Sequence, residues 1–450
     1  MSEILQEPRH FCALGAQQTV IAIERAIPIV HAGPGCSAKL TTAMSSSGGH
    51  QGSGYSGGDA IPCSNLIEKD VVFGGEKKLR KLIEGTLQVM DGDFFVVLTG
   101  CISDIVGDDV GSVVKEFTER GLPIVYAETG GFKGDAYKGH ELVLEAIINQ
   151  YLKPSQEKIK GLVNVFASVP THDPFWEGDL NEIKELLKSI GLQANILFGH
   201  NSGGIDAINN ISKAEFNLVV SPWIGVKAAK LLEKKFGTKY LHYPVLPIGG
   251  VETSKFLRAV ADFAEVDKEL VDKIIEEKEE EFYHYLVRSG EFLVASRYDL
   301  PKKFFIIDDS SYTLGITKFL VNDLGLLPAH QFITEDVPDQ FKDKIIEYFK
   351  EFDIEITADV TFSQDGGVIN EKLNKYEINT YPLILGSSWD VDIANAISGL
   401  HLSVGLPITD RLILNHTYVG YRGGLNLIED IYTKPVSYTH LRAHETSAHL

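Results

Sequence analysis

The sequence predicts an α/β protein of three doubly wound, Rossmann-like parallel-sheet domains. Three observations carry that prediction: apolar runs of strand length alternate with helical stretches, the first runs end in Gly-containing turns, and the alternation restarts twice along the 450 residues. In the first set, IPIVHAGPGC (Ile27–Cys36) is an apolar run closed by a Gly/Pro turn. DFFVVLTGC (Asp93–Cys101) is a second, and GLPIVYAET (Gly121–Thr129) follows the helical stretch VGSVVKEFTER. LVNVFASVP (Leu162–Pro170) opens the second set, which continues through the helix DLNEIKELLKSIG, the strands ANILFGH and FNLVVSP and the helix GVKAAKLLEKKFG. A long charged helix, VDKELVDKIIEEKEEEFYHYLVRSG, leads into the third set: FFIIDDSS (Phe304–Ser311), the helix TLGITKFLVNDLG, and the strands IEITADV and YPLILGSS. The restarts put domain boundaries near 155 and 300, giving domains over 1–155, 156–300 and 301–434. The last stretch, PVSYTHLRAHETSAHL (435–450), changes character abruptly and lacks apolar periodicity. It reads as a non-native tail, and its histidines are not read as a metal site.

Charge and composition exclude several classes. Lys and Arg number 42 and Asp and Glu 62, so the formal charge is 42 − 62 = −20. That field repels a polyanion unless a basic patch opposes it, and the densest basic run, EKKLRK (Glu76–Lys81), reads as a solvated helix face; no nucleic-acid partner is expected. No apolar run is long enough for a bilayer, and MSEILQEPRH lacks the apolar core of a signal peptide, so the expectation is a cytoplasmic protein with no membrane partner. The Gly/Ser-rich stretch Ser45–Asp59 could cradle phosphate, but no GxxxxGK[ST] or GxGxxG follows a strand there, which argues against nucleotide binding.

The four cysteines, Cys12, Cys36, Cys63 and Cys101, all fall in the first quarter of the chain. Chance would place four there about four times in a thousand, which asks for a cause. Four are too few for a disulfide scaffold. Buried free thiols and metal or cluster ligands are both open on composition. Position favours ligands: Cys36 and Cys101 close predicted strands, where open parallel sheets bind ligands, and a helix starting after Cys101 favours a thiolate there. Soft thiolates on loops at one sheet edge suit iron–sulfur ligation, and three of them leave a set that a partner chain could complete.

FCALGAQ around Cys12, IVHAGPGC ending at Cys36, EKDVVFGGEKKL (Glu68–Leu79) and TGCISDIVGDD (Thr99–Asp109) stand in this order. Together they resemble the N-terminal domain of nitrogenase component 1, the molybdenum-iron protein family. FNLVVSPW, VGLPITDR (Val404–Arg411) and VGYRGG (Val419–Gly424) resemble its β chain, and the resemblance runs to Lys434. It implies an oxidoreductase active only as an α2β2 heterotetramer with a homologous α-type subunit. The two chain types would share an 8Fe-7S P-cluster held on this side by Cys12, Cys36 and Cys101. Cys63 is a further metal-ligand candidate or a bystander. The α chain would hold the active-site cofactor through a cysteine and a histidine. This chain has Ser221 at the position resembling the cysteine, and His416 is offset from the histidine, so the resemblance assigns it no catalytic residue. It would relay electrons to α for dinitrogen reduction, from an ATP-hydrolysing iron protein docked over the segment containing Phe73.

Two departures widen the reading. Gly131, in ETGGFKGD, stands where β chains often have a cluster-binding serine, and the Ser/Gly-rich stretch replaces a more aromatic and basic one. A nitrogenase-like reductase of a tetrapyrrole or organosulfur compound, with a 4Fe-4S cluster, and a cofactor-assembly scaffold therefore stay open. His31 reads as a satisfied core histidine, and Gly107–Asp109 as a helix cap.

Overall fold

β2 (Phe94–Thr99), FFVVLT, is buried at all six positions, as a strand covered on both faces must be. It is the centre of a parallel sheet in the order β1-β2-β3, with β1 at Ala26–His31 and β3 at Ile124–Ala127. Pro28 lies in β1 and lacks an N–H, a substitution the edge position tolerates. The computed structural model describes residues 6–37, 43, 47–49, 61–155, 157–296, 301–376 and 381–447, without the side chains of 292–296 and 434–447. The Gly/Ser-rich stretch 45–59 thus lies outside the described residues except for 47–49.

A second parallel sheet has the order β5-β4-β6-β7, formed by Gln193–Asn195, Ile159–Phe166, Ala214–Val220 and Tyr240–Tyr243. Asn164, Asn195 and Asn217 are cross-strand neighbours in it. The Asn195 amide donates to Asn164 Oδ1 and the Asn164 amide to Asn217 Oδ1, each at 2.8 Å, a buried ladder that pins the register. The third sheet is β11-β10-β8-β12-β13, with the short β9 (Leu327–Pro328) beside β8. Its strands are β8 (Lys303–Asp308), β10 (His330–Ile333), β11 (Asp359–Phe362), β12 (Leu383–Gly386) and β13 (Leu400–Ser403). Every strand pair among the described residues is parallel, so the expected mixed α/β class with parallel sheets holds.

Three expected elements differ. ANILFGH leaves the sheet after Asn195, because Phe198 bridges to Ile23 and the Gly199 N–H donates to the Ala22 carbonyl of the first sheet's unit at 2.9 Å. IEITADV becomes strand only at Asp359; a tight turn, from the Ile356 N–H to the Ile354 carbonyl at 2.8 Å, occupies its start. The helix Gly420–Ser447 continues past 435, into the stretch where the sequence lacks helical periodicity.

One apolar core runs through all three sheets, from Val30 and Val96 through Val163 and Phe216 to Phe304 and Leu385. No helix of the described residues is long and apolar enough to cross a membrane. The chain start is moored far from its sequence neighbours. The Gln6 N–H donates to Asp365 Oδ2 (2.9 Å), the Arg9 N–H to the Gln364 carbonyl (3.0 Å), and the Arg9 guanidinium pairs with buried Asp390 (2.8 Å).

Candidate thiol site

The thiols sit on three loops of the first sheet and one strap. Cys36 lies in a helical turn, 34–37, beyond the end of β1, with its N–H on the Gly33 carbonyl at 3.1 Å. Cys101 opens the helix Cys101–Val106 directly after β2. The two loops touch through Gly100: a Cβ there would lie 2.4 Å from Ala32 Cβ, so only glycine allows the approach. Cys12 is delivered by the N-terminal strap and precedes the short 3-10 helix Ala13–Gly15. The Ala13 N–H on the Gly134 carbonyl (2.9 Å) and the Ala136 N–H on the Phe11 carbonyl (2.8 Å) clamp it against the segment 130–136.

Gly131 marks where these meet. Its N–H donates to Cys101 Sγ at 3.0 Å. A Cβ on it would lie 3.0 Å from Cys101 Sγ, 3.3 Å from Cys12 Cβ and 3.6 Å from Cys12 Sγ. Cys36 feels both of these thiols and Cys63: burial first, then the Cys12, Cys101 and Cys63 sulfurs, push its thiol up. Burial foremost, with Cys101 contributing, also pushes the Cys12 thiol up. Cys12 is exposed and the other three are half-buried, so the group faces outward. Cys63 enters by a bridge to Val30 and donates its S–H to the Ala32 (3.5 Å) and Gly33 (3.6 Å) carbonyls, at the base of the Cys36 loop. Among the described residues no three His, Cys, Asp or Glu close on a single metal ion.

An apolar surface lies beside them. Phe73, the last residue of the helix Glu68–Phe73, is 79% exposed, and Ile67, Val71 and Val72 of the same segment are exposed too. That helix packs on Cys101–Val106, whose Ile105 is exposed, and Phe132 is exposed next to Gly131. Exposed apolar groups so grouped mark an interaction surface.

His31 is fully buried and satisfied on both nitrogens, by Ser64 Oγ and Asp108 Oδ2, each at 3.0 Å. Asp109 caps the helix Val110–Thr118, accepting from the Ser112 N–H at 2.9 Å. The helix-cap reading therefore holds for Asp109 but misses Asp108, whose partners are long-range. The sequence signal that pointed to it was the doubled acid of GDD. Gly131 was legible as a departure from a side-chain ligand; its amide contact to Cys101 was not, since backbone donors leave no mark in a sequence.

The region around Ser221 is of another kind. Ser221 is fully buried, with its Oγ 3.0 Å from Ser311 Oγ and its carbonyl 2.8 Å from His242 Nε2. Around it, at the carboxyl ends of strands from the second and third sheets, lie four buried carboxyls, Asp173, Asp308, Asp309 and Glu335. Glu335 accepts from Trp223 Nε1 and the Ser310 N–H, both at 3.0 Å, and Asp173 from the Tyr137 hydroxyl at 3.0 Å. Burial raises all four, Asp173 and Glu335 to about 8. His416 is engaged elsewhere, with Asp430 at 3.0 Å.

Comparison with known proteins places this geometry. A family described as nitrogenase component 1 type oxidoreductase matches residues 12–434. The nitrogenase molybdenum-iron protein β chain of Methanococcus maripaludis is 28% identical, over 93% of this chain and 91% of its own length. A light-independent protochlorophyllide reductase chain of Chaetosphaeridium globosum is 25% identical, over 63% of this chain and 58% of its own. A solved structure titled nitrogenase Cp1 at pH 6.5 superposes with a TM-score of 0.80 at 19% identity, covering 98% of this chain and 95% of that one, and so shares the fold. From Cys12 to the helix that follows Val419, the chain belongs to the nitrogenase component 1 type oxidoreductases.

Proposed function

We propose that this chain is the β-type subunit of a nitrogenase component 1 in an α2β2 heterotetramer of the cytoplasm. With its α partner it binds an iron–sulfur cluster of the 8Fe-7S kind and relays electrons from an ATP-hydrolysing iron protein to the cofactor on α, for dinitrogen reduction. The carrying observation is the meeting of Cys12 and Cys101 at Gly131, with Cys36 close enough to feel both thiols, on a face where Cys12 is exposed. Three soft ligands on an open face are half of a shared site, and α-chain relatives such as that of Methanosarcina barkeri, 28% identical over 59% of this chain, are homologous to it. We further assign three domains with boundaries near 155 and 300, and a non-native tail from 435.

The donor set fits such a cluster: soft thiols on separate segments, with Cys12 and Cys36 pushed up by burial until a metal displaces their protons. When bound, the cluster supplies one-electron storage. Cys12, Cys36 and Cys101 would hold it. The Gly131 amide, donating to Cys101 Sγ, offsets thiolate charge and orients that side chain. The apolar rim of Phe73, Ile105 and Phe132 keeps water from the face once a partner covers it, and Phe73 meets the iron protein. Cys63, with its S–H on two carbonyls, is a reserve ligand on the Cys36 side. Ser221, sealed against Ser311, offers no thiolate for a second cofactor, so substrate reduction falls to α.

The test is anaerobic co-purification with the α-type partner, iron analysis, and EPR of reduced and oxidised states. Eight irons per αβ pair beyond those of the cofactor on α, with dinitrogen or acetylene reduction, are expected; an active, iron-free complex refutes the reading. One observation favours a second reading, a nitrogenase-like reductase of a tetrapyrrole or organosulfur compound: Gly131 brings no side-chain oxygen to the thiols. Four irons per site without acetylene reduction would select it.

A further inference from the structure

We infer that Asp108 and His31 form a mechanical link through which a partner bound over Phe73 moves the Cys36 and Cys101 loops. The inference rests on the docking reading above. It starts from the turn that follows Phe73. Gly74, at φ 83°, ends the helix, and the Gly75 N–H donates to Asp108 Oδ1 at 2.8 Å. There is no slack at this point: a Cβ on Gly75 would lie 2.6 Å from Asp108 Oδ2 and 2.9 Å from His31 Cε1. The backbone of the exposed apolar segment therefore rests directly on both side chains.

From Asp108 the contacts pass inward. Its Oδ2 meets His31 Nε2 at 3.0 Å, and His31 Nδ1 meets Ser64 Oγ at 3.0 Å. Ser64 Oγ accepts from the Ala32 N–H at 3.1 Å, at the root of the loop carrying Cys36. The His31 carbonyl takes the Gly100 N–H at 3.0 Å and the Ser103 hydroxyl at 2.7 Å, one residue before Cys101 and two after it. One residue, His31, thus meets the docking turn through its ring, the Cys101 loop through its own carbonyl and the Cys36 loop through Ser64. The His31 and Asp108 side chains are 0% and 2% exposed, so neither solvates away when the turn shifts. Packed hydrogen-bonded chains of this kind carry coupling between sites when they join elements that move together.

Structural tying alone predicts a different outcome from coupling, and a split of readouts separates them. In the complex with its α partner, Asp108→Ala is expected to keep wild-type iron content and EPR. Its reduction by dithionite, which needs no docking, should run at the wild-type rate. Reduction by the ATP-hydrolysing donor should fall at least tenfold in maximal rate, with the donor KM within threefold of wild type. Asp108→Asn, which keeps an acceptor for Gly75 and a polar partner for His31, should restore the rate to within threefold. If Asp108→Ala loses iron, His31→Asn decides on the same readouts, since it preserves a group for Ser64 and removes the one facing Asp108. A wild-type maximal rate in the severed variant, or a loss confined to KM, overturns the link. Iron missing from the wild-type complex instead overturns the functional reading on which it rests.

Discussion

Two sets of strand ends in this molecule have been put to opposite uses. At the first sheet, the loops after β1 and β2 present half-open thiols beside exposed Phe73, Ile105 and Phe132. At the second and third sheets, the corresponding ends present buried polar groups that close on one another: Ser221 on Ser311, Trp223 on Glu335, Tyr137 on Asp173. Carboxyl ends of parallel strands are where such folds bind ligands. The first set is left open at the surface. The second is completed internally by four carboxyls, burial of which favours the protonated form. The same arrangement of strand ends thus holds soft, half-open groups at one sheet and buried polar groups at the others.

That contrast can be broken at the thiol side most sharply. Cys36→Ala should lower bound iron at least tenfold in the anaerobic complex while circular dichroism stays unchanged; retained iron would mean the thiols are core residues after all. The strap behind Cys12 comes next. Arg9 and Asp390 are 2% and 0% exposed, so Arg9→Ala leaves a buried carboxylate unpaired and should cost roughly 3–5 kcal/mol in urea unfolding. Phe73→Ala should slow donor-dependent turnover about tenfold, as removal of a central aromatic anchor does, and leave the melting temperature in place.

The sealed region gives the smallest and most gradual effect, in pH. The native Asp173 and Glu335 hold protons up to about 8, whereas the unfolded chain releases them near 4. Between those values the native state binds more protons, so stability falls as pH rises, by up to about 1.4 kcal/mol per unit for each carboxyl. Melting temperature should decline from pH 6 to pH 8. Asp308→Asn should flatten the decline, because Asp308 Oδ2 has no hydrogen-bond partner among the described residues and an amide there titrates nothing. A melting temperature rising over that range would contradict the assignment.

The two regions were not equally legible in the sequence. Parallel strands announce themselves by local apolar runs, and FFVVLT or FFIID needs no distant information. Cys36 and Cys101 were legible as candidate ligands because each sits in a short motif at a strand end, and Cys12 because FCALGAQ stands in order with those motifs. The cleft was visible only as Ser221 in place of a cysteine, since its carboxyls come from separate strands and loops. Asp108 was hidden because its partners, His31 and Gly75, lie 77 and 33 positions away, whereas its neighbour Asp109 bonds locally to Ser112. ANILFGH misled because a contact between sheets overrode its strand propensity.

The strap that carries Cys12 has a consequence for how the protein is made. Gln6 and Arg9 of that strap are made far ahead of their moorings at Gln364, Asp365 and Asp390, Gln6 by 359 positions. At the usual pace of synthesis, roughly 5–20 residues per second, the strap waits on the order of tens of seconds between its clamp on 130–136 and its moorings on the third sheet. The strap is therefore fixed in two stages, and Arg9 finds its buried partner Asp390 only once the third sheet has been made.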